Sequence, residues 1–463
     1  MPINSFLYPA PSTPTFGYNV ANSCRFDAAY LKRTVTASTS STWTLSFWLK
    51  LSGHNGTSEG YLFSYGSDGG QGFYIRSNGY LGYYGASGYT SDNTLSSGVL
   101  RDPSAWSHIL FSVNSGTGTL YINGVQDTQI SNVAPLNATT GNTYAVNSYI
   151  NYEANFDNFL GYMAEYVFID GTAYNQNSFG EFDSDSPTIW KPIDVSGLTF
   201  GTNGFYLDFE DSSDLGKDVS GNSNHFTTTG LTATDQSTDT CTNNFATINS
   251  LNTFPSTPPT LSEGNLQCRT INADPGYFGG SGTIGVSTGK WYFEVKPTVS
   301  TSGVPFLIGV SYDPAEAARQ GTTASAQYSA SEYVYYGHNG NKANSGSFTS
   351  YGNSYAVDDI IGVALDLDNH KIYFSKNGTF QNSGDPTTGS TGTGSAFDLT
   401  TGQTYFPFLS DGGGSVCTYQ CNFGSPPYAI SSGNADANGF GNFEYAVPSG
   451  YFALCTKNLA EFG

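Results

Sequence analysis

Three carboxylates alternate along the segment EFDSD, at Glu181, Asp183 and Asp185. On a strand, this alternation would place the acids on one face, about 5–5.5 Å apart, the separation that retaining glycoside hydrolysis requires. The flanking sequences YNQNSFG and SPTIWKP do not surround the segment with the alternating aliphatic and β-branched frame of a strand, so a solvated acidic loop is the better interpretation. We therefore predict no catalytic residues. A weakly held calcium ion, bound by these three oxygen donors, is the alternative, and no other cofactor is expected.

Two stretches rich in tyrosine and asparagine suit the binding of sugars or protein surfaces. They are GYLGYYGASGYTSDN (79–93) and YVYYGHNGNKANSG (333–346). Flat rings can stack on a sugar while amides and hydroxyls form hydrogen bonds. The alternative is that alternate tyrosines pack between two sheets while their neighbours face water. The residues predicted to contact a ligand are Tyr80, Tyr83, Tyr84, Tyr89, Tyr335, Tyr336, His338, Asn339, Asn341 and Lys342.

The sequence contains no G-x-S-x-G, Walker or H-E-x-x-H motif, and its five histidines are scattered. His108 falls in a predicted strand, where a structural role is expected. Among the six cysteines, Cys417 and Cys421 also share a predicted strand, VCTYQCNF. Four strand residues span about 13 Å, beyond the roughly 7 Å that a disulfide bridges, so we expect mostly buried thiols.

Acidic residues number 37 and basic residues 16, giving a formal net charge of -21. This balance argues against partners with an anionic surface, both nucleic acid and membrane. No apolar run is long enough to span a bilayer, and the first residues, MPINSFLYPAPSTPTFGYN, lack the features of a signal peptide. With 56 glycines and only 11% charged residues, the composition is typical of an all-β protein rich in loops.

Short alternating runs predict the strands, and WTLSFWLKL is a clear example. Its odd positions, from Trp43 to Leu51, form an apolar core face. Its even positions, from Thr44 to Lys50, predict a second face that is partly exposed to water. PAEAARQG (314–321) is the clearest short helix.

A longer ribbon, YAVDDIIGVALDLDNHKIYFSKNG (355–378), predicts a β-hairpin with one buried face. Ile361, Val363 and Leu365 point to one side, and Asn377-Gly378 suits a turn with positive φ angles. The first half of the chain carries a similar pattern, WSHILFSVNSGTGTLYINGV, which ends in Asn123-Gly124. Two sandwiches of related architecture are the simplest explanation.

The predicted fold class is all-β, with two tandem antiparallel jelly-roll β-sandwiches joined by a connector rich in Ser, Thr, Asn and Pro. Phe226, Leu231, Phe245 and Ile248 could hold this connector against a sandwich. The predicted divisions are an N-terminal arm (1–20), the first sandwich (21–211), the connector (212–262), the second sandwich (263–432) and a C-terminal tail (433–463).

Both halves resemble known families. Residues 289–424 resemble a SPRY domain through GKWYFEV, DDIIGVALDLDNHKIYFSKNG and YFPFLS followed by CNFG. Residues 24–211 resemble a LamG, concanavalin A-like domain through CRFDAAYLKR, WTLSFWLKL and GYMAEYVFIDG. DVSGNSNHF (218–226) looks like an element of the LamG family but follows the domain instead of preceding it. The order of the two domains, with ALCTKNL near the C-terminus, is similar to structural proteins of marine tailed phages.

This resemblance implies a non-enzymatic virion protein that is tail-fibre-like, receptor-binding or capsid-decorating. It would be made in the host cytoplasm, released by lysis, and would recognise a host surface glycan or protein through its loops. The expected partners are other virion proteins and further copies of the chain in a homo-oligomer, without nucleic acid or membrane insertion. The arm and residues 450–463 are candidates for anchoring. A purely structural assembly protein and a secreted glycan-active enzyme remain the two alternatives.

Overall fold

The computed structural model describes residues 17–52, 60–66, 71–85, 94–138, 142–148, 159–252, 258–270, 279–301, 303, 306–314, 329–411 and 416–463. Most of the arm and almost all of the predicted helix PAEAARQG lie outside these ranges. Within them the protein is all-β, as predicted, and its strands form two sandwiches of antiparallel sheets.

Nineteen strands lie in the parts of the first half that the structure describes. They are β1 (Ser23–Phe26), β2 (Tyr30–Thr34), β3 (Ser38–Ser40), β4 (Trp43–Leu51), β5 (Gly60–Gly66), β6 (Gln71–Ile75), β7 (Tyr80–Tyr84), β8 (Thr94–Val99), β9 (Trp106–Asn114), β10 (Thr117–Ile122), β11 (Val125–Ile130), β12 (Leu136–Ala138), β13 (Thr143–Val146), β14 (Gly161–Asp170), β15 (Gly180–Phe182), β16 (Trp190–Pro192), β17 (Phe205–Leu207), β18 (Thr227–Thr229) and β19 (Gln236–Ser237).

The described residues of the second half form fifteen strands and one α-helix. They are β20 (Thr260–Ser262), β21 (Gln267–Arg269), β22 (Gly280–Ser281), β23 (Lys290–Ser300), β24 (Phe306–Ser311), β25 (Glu332–Tyr336), β26 (Asn341–Asn344), β27 (Ser347–Ser350), β28 (Ile361–Asp366), β29 (Lys371–Lys376), β30 (Thr379–Phe380), β31 (Phe397–Asp398), β32 (Phe406–Asp411), β33 (Cys417–Asn422), β34 (Phe452–Ala453) and α1 (Thr456–Phe462). The helices in the described part of the chain are too short or too polar to span a bilayer.

The first sandwich consists of an eight-stranded and a seven-stranded sheet. The larger sheet has the order β11-β10-β9-β4-β14-β1-β19, with β17 paired to β14, and the smaller has the order β18-β2-β13-β5-β6-β7-β8. Their inner faces enclose a core of aliphatic and aromatic side chains in which Trp43, Phe47 and Phe111 are fully buried. Removing this surface from water is the main source of stability.

Strand β4 differs from the prediction because all nine of its residues are buried. The odd positions lie in the core as expected, but the expectation of a partly wet second face is wrong. Trp48 on that outer face packs against Val20 and Trp190, which belong to the N-terminal segment and to β16. Lys50, also on the outer face, is covered by the connector. Segments that precede and follow the strands of the first sandwich therefore form a third layer over the large sheet.

The second sandwich pairs a nine-stranded sheet with a six-stranded one. The larger has the order β20-β21-β33-β23-β28-β29-β30, with β31 and β34 attached to β29 and β23, and the smaller has the order β22-β32-β24-β25-β26-β27. The predicted hairpin is β28 and β29, and Ile361, Val363 and Leu365 lie in the core. The prediction of a single buried face is wrong, since the tail covers Ala364 and Tyr373 on the other face.

The connector and the tail both belong to the packed structure. Within the connector, β18 pairs with β2 and β19 with β1, which adds one strand to each sheet of the first sandwich. Phe226 joins the first core and Ile248 the second. In the tail, β34 runs parallel to β23, and Leu454 is buried in the second core. All six cysteines are free, and five of them are buried.

The Asn-Gly pairs of the two halves have the same conformation. Asn123 and Gly124 have φ angles of 48° and 75°, and Asn377 and Gly378 have φ angles of 49° and 78°. Two successive residues with positive φ form the turn that suits the right-handed twist of a hairpin. The similarity of the two sequence patterns therefore reflects the same turn geometry.

Candidate functional site

A pocket of about 370 Å³ opens at one end of the first sandwich. Its floor is aliphatic, because Leu49 and Leu51 of β4 and Ile122 of β10 face it. Its wall is formed by Val99 at the end of β8, together with residues 100–102 and Ala105 of the segment that links β8 to β9. The volume lies at the lower end of the range for small-molecule sites, which suits a compact ligand with an apolar face.

Four polar side chains surround this floor. Ser107 lies on the core face of β9, in register with Leu49, and Asn123 belongs to the Asn-Gly turn after β10. The Asn123 Oδ1 atom accepts a hydrogen bond of 2.7 Å from the His108 amide, which fixes the turn against β9. Arg101 and Asp102 are exposed on the wall. The pocket thus combines an apolar base with hydroxyl, amide and charged groups.

The wall is held by short-range and long-range hydrogen bonds. The Asp102 carboxylate accepts bonds from the Ser104 amide at 2.8 Å and the Ser104 hydroxyl at 2.5 Å. The Asn244 Nδ2 atom of the connector donates to the Ser104 carbonyl at 2.5 Å. Beside it, the Trp106 Nε1 atom donates to Asp239 Oδ1 at 2.9 Å. The connector therefore fixes the segment that shapes the pocket.

The chemistry of the lining favours binding over hydrolysis. Glycoside hydrolysis normally needs two carboxyl groups on opposite sides of the scissile bond. Among the described residues that line the pocket, Asp102 is the one carboxylate, and it is engaged in capping Ser104. The pocket can hold a ligand through hydrogen bonds and apolar contact, but the described part of its lining provides no pair of acids.

The first predicted tyrosine stretch runs beside the pocket. Tyr80 is half-buried on β7 and lies in register with Val99, which lines the pocket. Tyr83 is buried in the core, where its hydroxyl lies 2.9 Å from that of Tyr65. Tyr84 is half-buried at the end of β7, and Tyr89 lies outside the described residues. This stretch therefore supplies one strand next to the pocket, and none of its described residues lines the pocket.

The second stretch divides between core and surface. Tyr335 is fully buried, and its hydroxyl donates to the Asn353 carbonyl. Lys342 donates to the Ala396 carbonyl, and burial lowers the pKa of its ammonium group.

The remaining four residues of the second stretch lie at or near the surface. His338 and Asn339 are exposed, and Tyr336 and Asn341 are half-buried. The Asn339 Oδ1 atom accepts a bond of 3.1 Å from the Asn341 amide. Tyr336 and His338 pack together with ring centroids 5.8 Å apart, which leaves a small aromatic surface at this hairpin.

The alternating acids do not share one strand face. Glu181 lies in the short strand β15, whereas Asp183 begins a turn and accepts hydrogen bonds from the amides of Asp185 and Ser186. Lys191 Nζ lies 3.3 Å from Glu181 and 3.4 Å from Asp183, so a protein cation already faces these two carboxylates. Within the described ranges, no group of three or more His, Cys, Asp or Glu side chains is arranged to hold a metal ion.

His108 has a serine neighbour, but their arrangement does not activate a nucleophile. Trp190 Nε1 donates to His108 Nδ1 at 3.1 Å, so the proton of the neutral ring resides on Nε2. Nε2, 2.9 Å from Ser46 Oγ, must then donate to the serine instead of accepting its proton. Burial lowers the pKa of His108 to about 3. This network is structural, as expected from the sequence.

Glu165 is a buried carboxyl group outside the pocket. It lies at a bulge in β14 with a φ angle of 49°. It accepts hydrogen bonds from the hydroxyl groups of Tyr206, at 2.8 Å, and Tyr18, at 3.2 Å. Burial raises the pKa of Glu165 to about 7. Tyr18 places the N-terminal segment directly over this carboxyl group.

Sequence reasoning missed the lining of the pocket. Arg101, Ser107 and Asn123 are separated in the sequence, and β9 and β10 bring them together. A usable signal was present, since GVLRDPSAW places one of the few basic residues in a segment between two strands. The predicted ligand contacts lay in the two tyrosine-rich stretches instead, and several of those rings pack in the cores.

Two family profiles match the chain, one for each sandwich. Residues 26–176 match Laminin_G_3, described as the concanavalin A-like lectin/glucanases superfamily. Residues 290–426 match the SPRY domain family. The chain therefore contains a concanavalin A-like domain and a SPRY domain in tandem. No curated protein sequence matches the chain.

Solved structures resemble parts of the chain. A candidate carbohydrate-binding protein from Bacteroides ovatus is 15% identical, with a TM-score of 0.35, and the match covers 46% of this chain and 60% of that one. The heptameric pentraxin of Limulus polyphemus is 16% identical, covers 34% and 80%, and has a TM-score of 0.28. The SPRY domain of human HERC1 is 17% identical, covers 34% and 93%, and has a TM-score of 0.25.

Proposed function

We propose that this chain is a non-enzymatic recognition protein that holds a saccharide unit in the pocket of its first sandwich. The observation that carries the proposal is the lining, in which Leu49, Leu51 and Ile122 form an apolar floor and Ser107 and Asn123 provide hydrogen-bonding groups. A sugar ring presents the same combination of an apolar face and hydroxyl edges. The single carboxylate supports binding without bond cleavage.

The proposal is tested by glycan-array binding of the full chain, followed by calorimetry with the best saccharide. Ser107→Leu adds an aliphatic side chain to the pocket, and we expect it to lower affinity at least tenfold. Ser347→Leu lies on the exposed strand β27 of the other sandwich and is the matched control. Unchanged affinity of Ser107→Leu would contradict the proposed site, and an array without any bound glycan would reject the function.

We propose the surface of a virion as the setting, with the protein acting as a tail-fibre-like, receptor-binding or capsid-decorating component. The proposal of this setting rests on the resemblance of the domain order, with ALCTKNL near the C-terminus, to structural proteins of marine tailed phages. Many copies presenting one modest site each would bind a host surface by avidity. Mass spectrometry and cryo-electron microscopy of purified particles test it, because the chain must then be found in them at a symmetric position.

Each alternative makes a separate prediction. A purely structural assembly protein would join particles while glycan arrays and host-cell binding stay blank. A glycan-active enzyme would release reducing sugar, and Glu181→Gln would abolish the release. The ion pairs of Lys191 with Glu181 and Asp183 favour the non-enzymatic function, since both acids are already engaged by a cation.

A further inference from the structure

Arg101 on the pocket wall has no hydrogen bond or ion pair to any residue that the structure describes. Most of the other basic side chains have close partners. Lys50, for example, lies 2.6 Å from Asp239, and Arg25 contacts both Asp235 and Glu263. The whole chain contains 37 acidic and only 16 basic residues, so a pocket arginine without an ion pair to any described residue is unusual here.

The neighbouring acid forms no ion pair with Arg101 within the described part of the chain. Asp102 is the nearest carboxylate in sequence, but its Oδ1 atom is occupied by the amide and hydroxyl groups of Ser104. The Arg101 side chain is exposed beside the aliphatic floor, where a guanidinium can bind a carboxylate or sulfate through two parallel hydrogen bonds. The pocket therefore offers an anion-binding group at the edge of a surface that suits a sugar ring.

We propose that the pocket selects an anionic saccharide, with a carboxylate or sulfate group of the sugar bound by Arg101. This inference rests on the proposed function and names the class of its ligand. The ring lies over Leu49 and Leu51, and Ser107 and Asn123 bind its hydroxyl groups. The preference is set at one side chain, because the net charge of -21 would otherwise disfavour an anionic ligand.

Calorimetry of the full chain with three matched oligosaccharides tests the inference. The first is an oligomer of 1,4-linked uronic acid, the second is the same oligomer with its carboxyl groups reduced to alcohols, and the third is a sulfated neutral galactan oligomer. A carboxylate ligand is identified by binding of the first alone, and a sulfate ligand by binding of the third alone. The reduced oligomer measures the affinity of the pocket for the same sugar without its negative charge.

Arg101→Gln is the informative variant, and Arg269→Gln is its control. Arg269 is also exposed and has no hydrogen bond or ion pair within the described residues, but it lies on β21 of the second sandwich. Arg101→Gln should weaken binding of the preferred anionic oligomer at least tenfold, to the level of an uncharged oligomer, while Arg269→Gln leaves binding unchanged.

Two results would overturn the inference, and they separate it from the proposed function. Equal binding of charged and neutral oligomers, or unchanged binding by Arg101→Gln, would reject the anionic preference while saccharide binding stands. If none of these oligomers and no glycan on the array binds, both fail. Thermal melting of Arg101→Gln verifies folding. Because this side chain is exposed and has no hydrogen bond or ion pair to a described residue, we expect no change in the melting temperature.

Discussion

Lys50 Nζ lies 2.6 Å from Asp239 Oδ2, and both side chains are buried where the connector crosses the large sheet of the first sandwich. Lys50 is part of a row across four neighbouring strands, in which Arg25, Tyr162, Lys50 and Trp106 are successive register partners. Tyr162 donates to the Gly264 carbonyl at 2.9 Å, so this row contacts both the connector and the start of the second sandwich. The outer face that carries Arg25 and Lys50 thus joins the two halves of the chain.

Replacement of Lys50 by Met should destabilise the protein by about 3–5 kcal/mol, since it leaves the buried Asp239 carboxylate without its cation. Urea denaturation measures this cost. Lys217→Met removes an exposed ion pair with Asp211 and should cost under about 1 kcal/mol. Equal effects of the two variants would mean that the buried pair does not hold the connector.

Replacement of Asn244 by Ala should make the pocket wall more mobile, although Asn244 is not among the described residues that line the pocket. Asn244 donates to Ser104 and accepts a 2.6 Å bond from Lys50, so its loss frees one side of residues 100–105. Hydrogen-exchange mass spectrometry should show faster exchange in this segment, with little change in the centre of β9. Unaltered exchange at residues 100–105 would show that local capping by Asp102 is sufficient.

Stability should fall as pH rises from about 4.5 to above 7, in part because of Glu165. Its pKa is raised from 4.5 to about 7 by burial, so the folded state binds its proton more tightly than the unfolded state. The contribution of Glu165 to the free energy of unfolding is therefore complete below the pKa of the unfolded state. It is lost as pH rises through the pKa of the folded state, and the loss amounts to about 3 kcal/mol.

Glu165→Gln should remove that part of the pH dependence in denaturation experiments at pH 5 and pH 8. Some decrease of stability with rising pH should remain in this variant, because burial also raises the pKa of Glu332 to about 7. Glu181→Gln is the control, since its side chain is 59% exposed. Parallel pH profiles of wild type and Glu165→Gln would contradict the assignment.

Leu365→Ala should cost about 2–5 kcal/mol, because Leu365 is 3% exposed in the second core and its truncation leaves a cavity. Val125→Ala, at a side chain that is 60% exposed, should stay within about 0.5 kcal/mol. Chemical denaturation compares the two. A cost of under about 0.5 kcal/mol for Leu365→Ala would contradict its inward orientation.

Alanine substitutions at two glycines distinguish the cost of backbone strain from the cost of steric overlap. Gly124 and Gly346 both have positive φ angles, of 75° and 71°. A Cβ atom on Gly124 would lie 2.2 Å from the Trp190 ring, whereas one on Gly346 would meet nothing within 4 Å. Alanine at either position should cost about 1–2 kcal/mol in strain, and Gly124→Ala about 1–3 kcal/mol more. Equal melting temperatures of the two variants would contradict the overlap.

The sequence predicted the inward faces of the strands well, because alternation of side chains is a local property. Trp43, Phe47 and Leu365 lie in the cores as expected. The covering of the outer faces was not predicted, since it depends on contacts between distant residues such as Lys50 and Asp239. The pocket escaped prediction for the same reason, because Arg101 and Asn123 meet only through strand pairing.

Asn244 contacts the pocket wall with its amide nitrogen and the buried lysine with its amide oxygen. A tensile load between the two sandwiches would therefore pass in part through the same side chain that shapes the pocket rim. Tension applied across the two sandwiches would then change the shape of the pocket rim and, with it, the lifetime of a bound ligand.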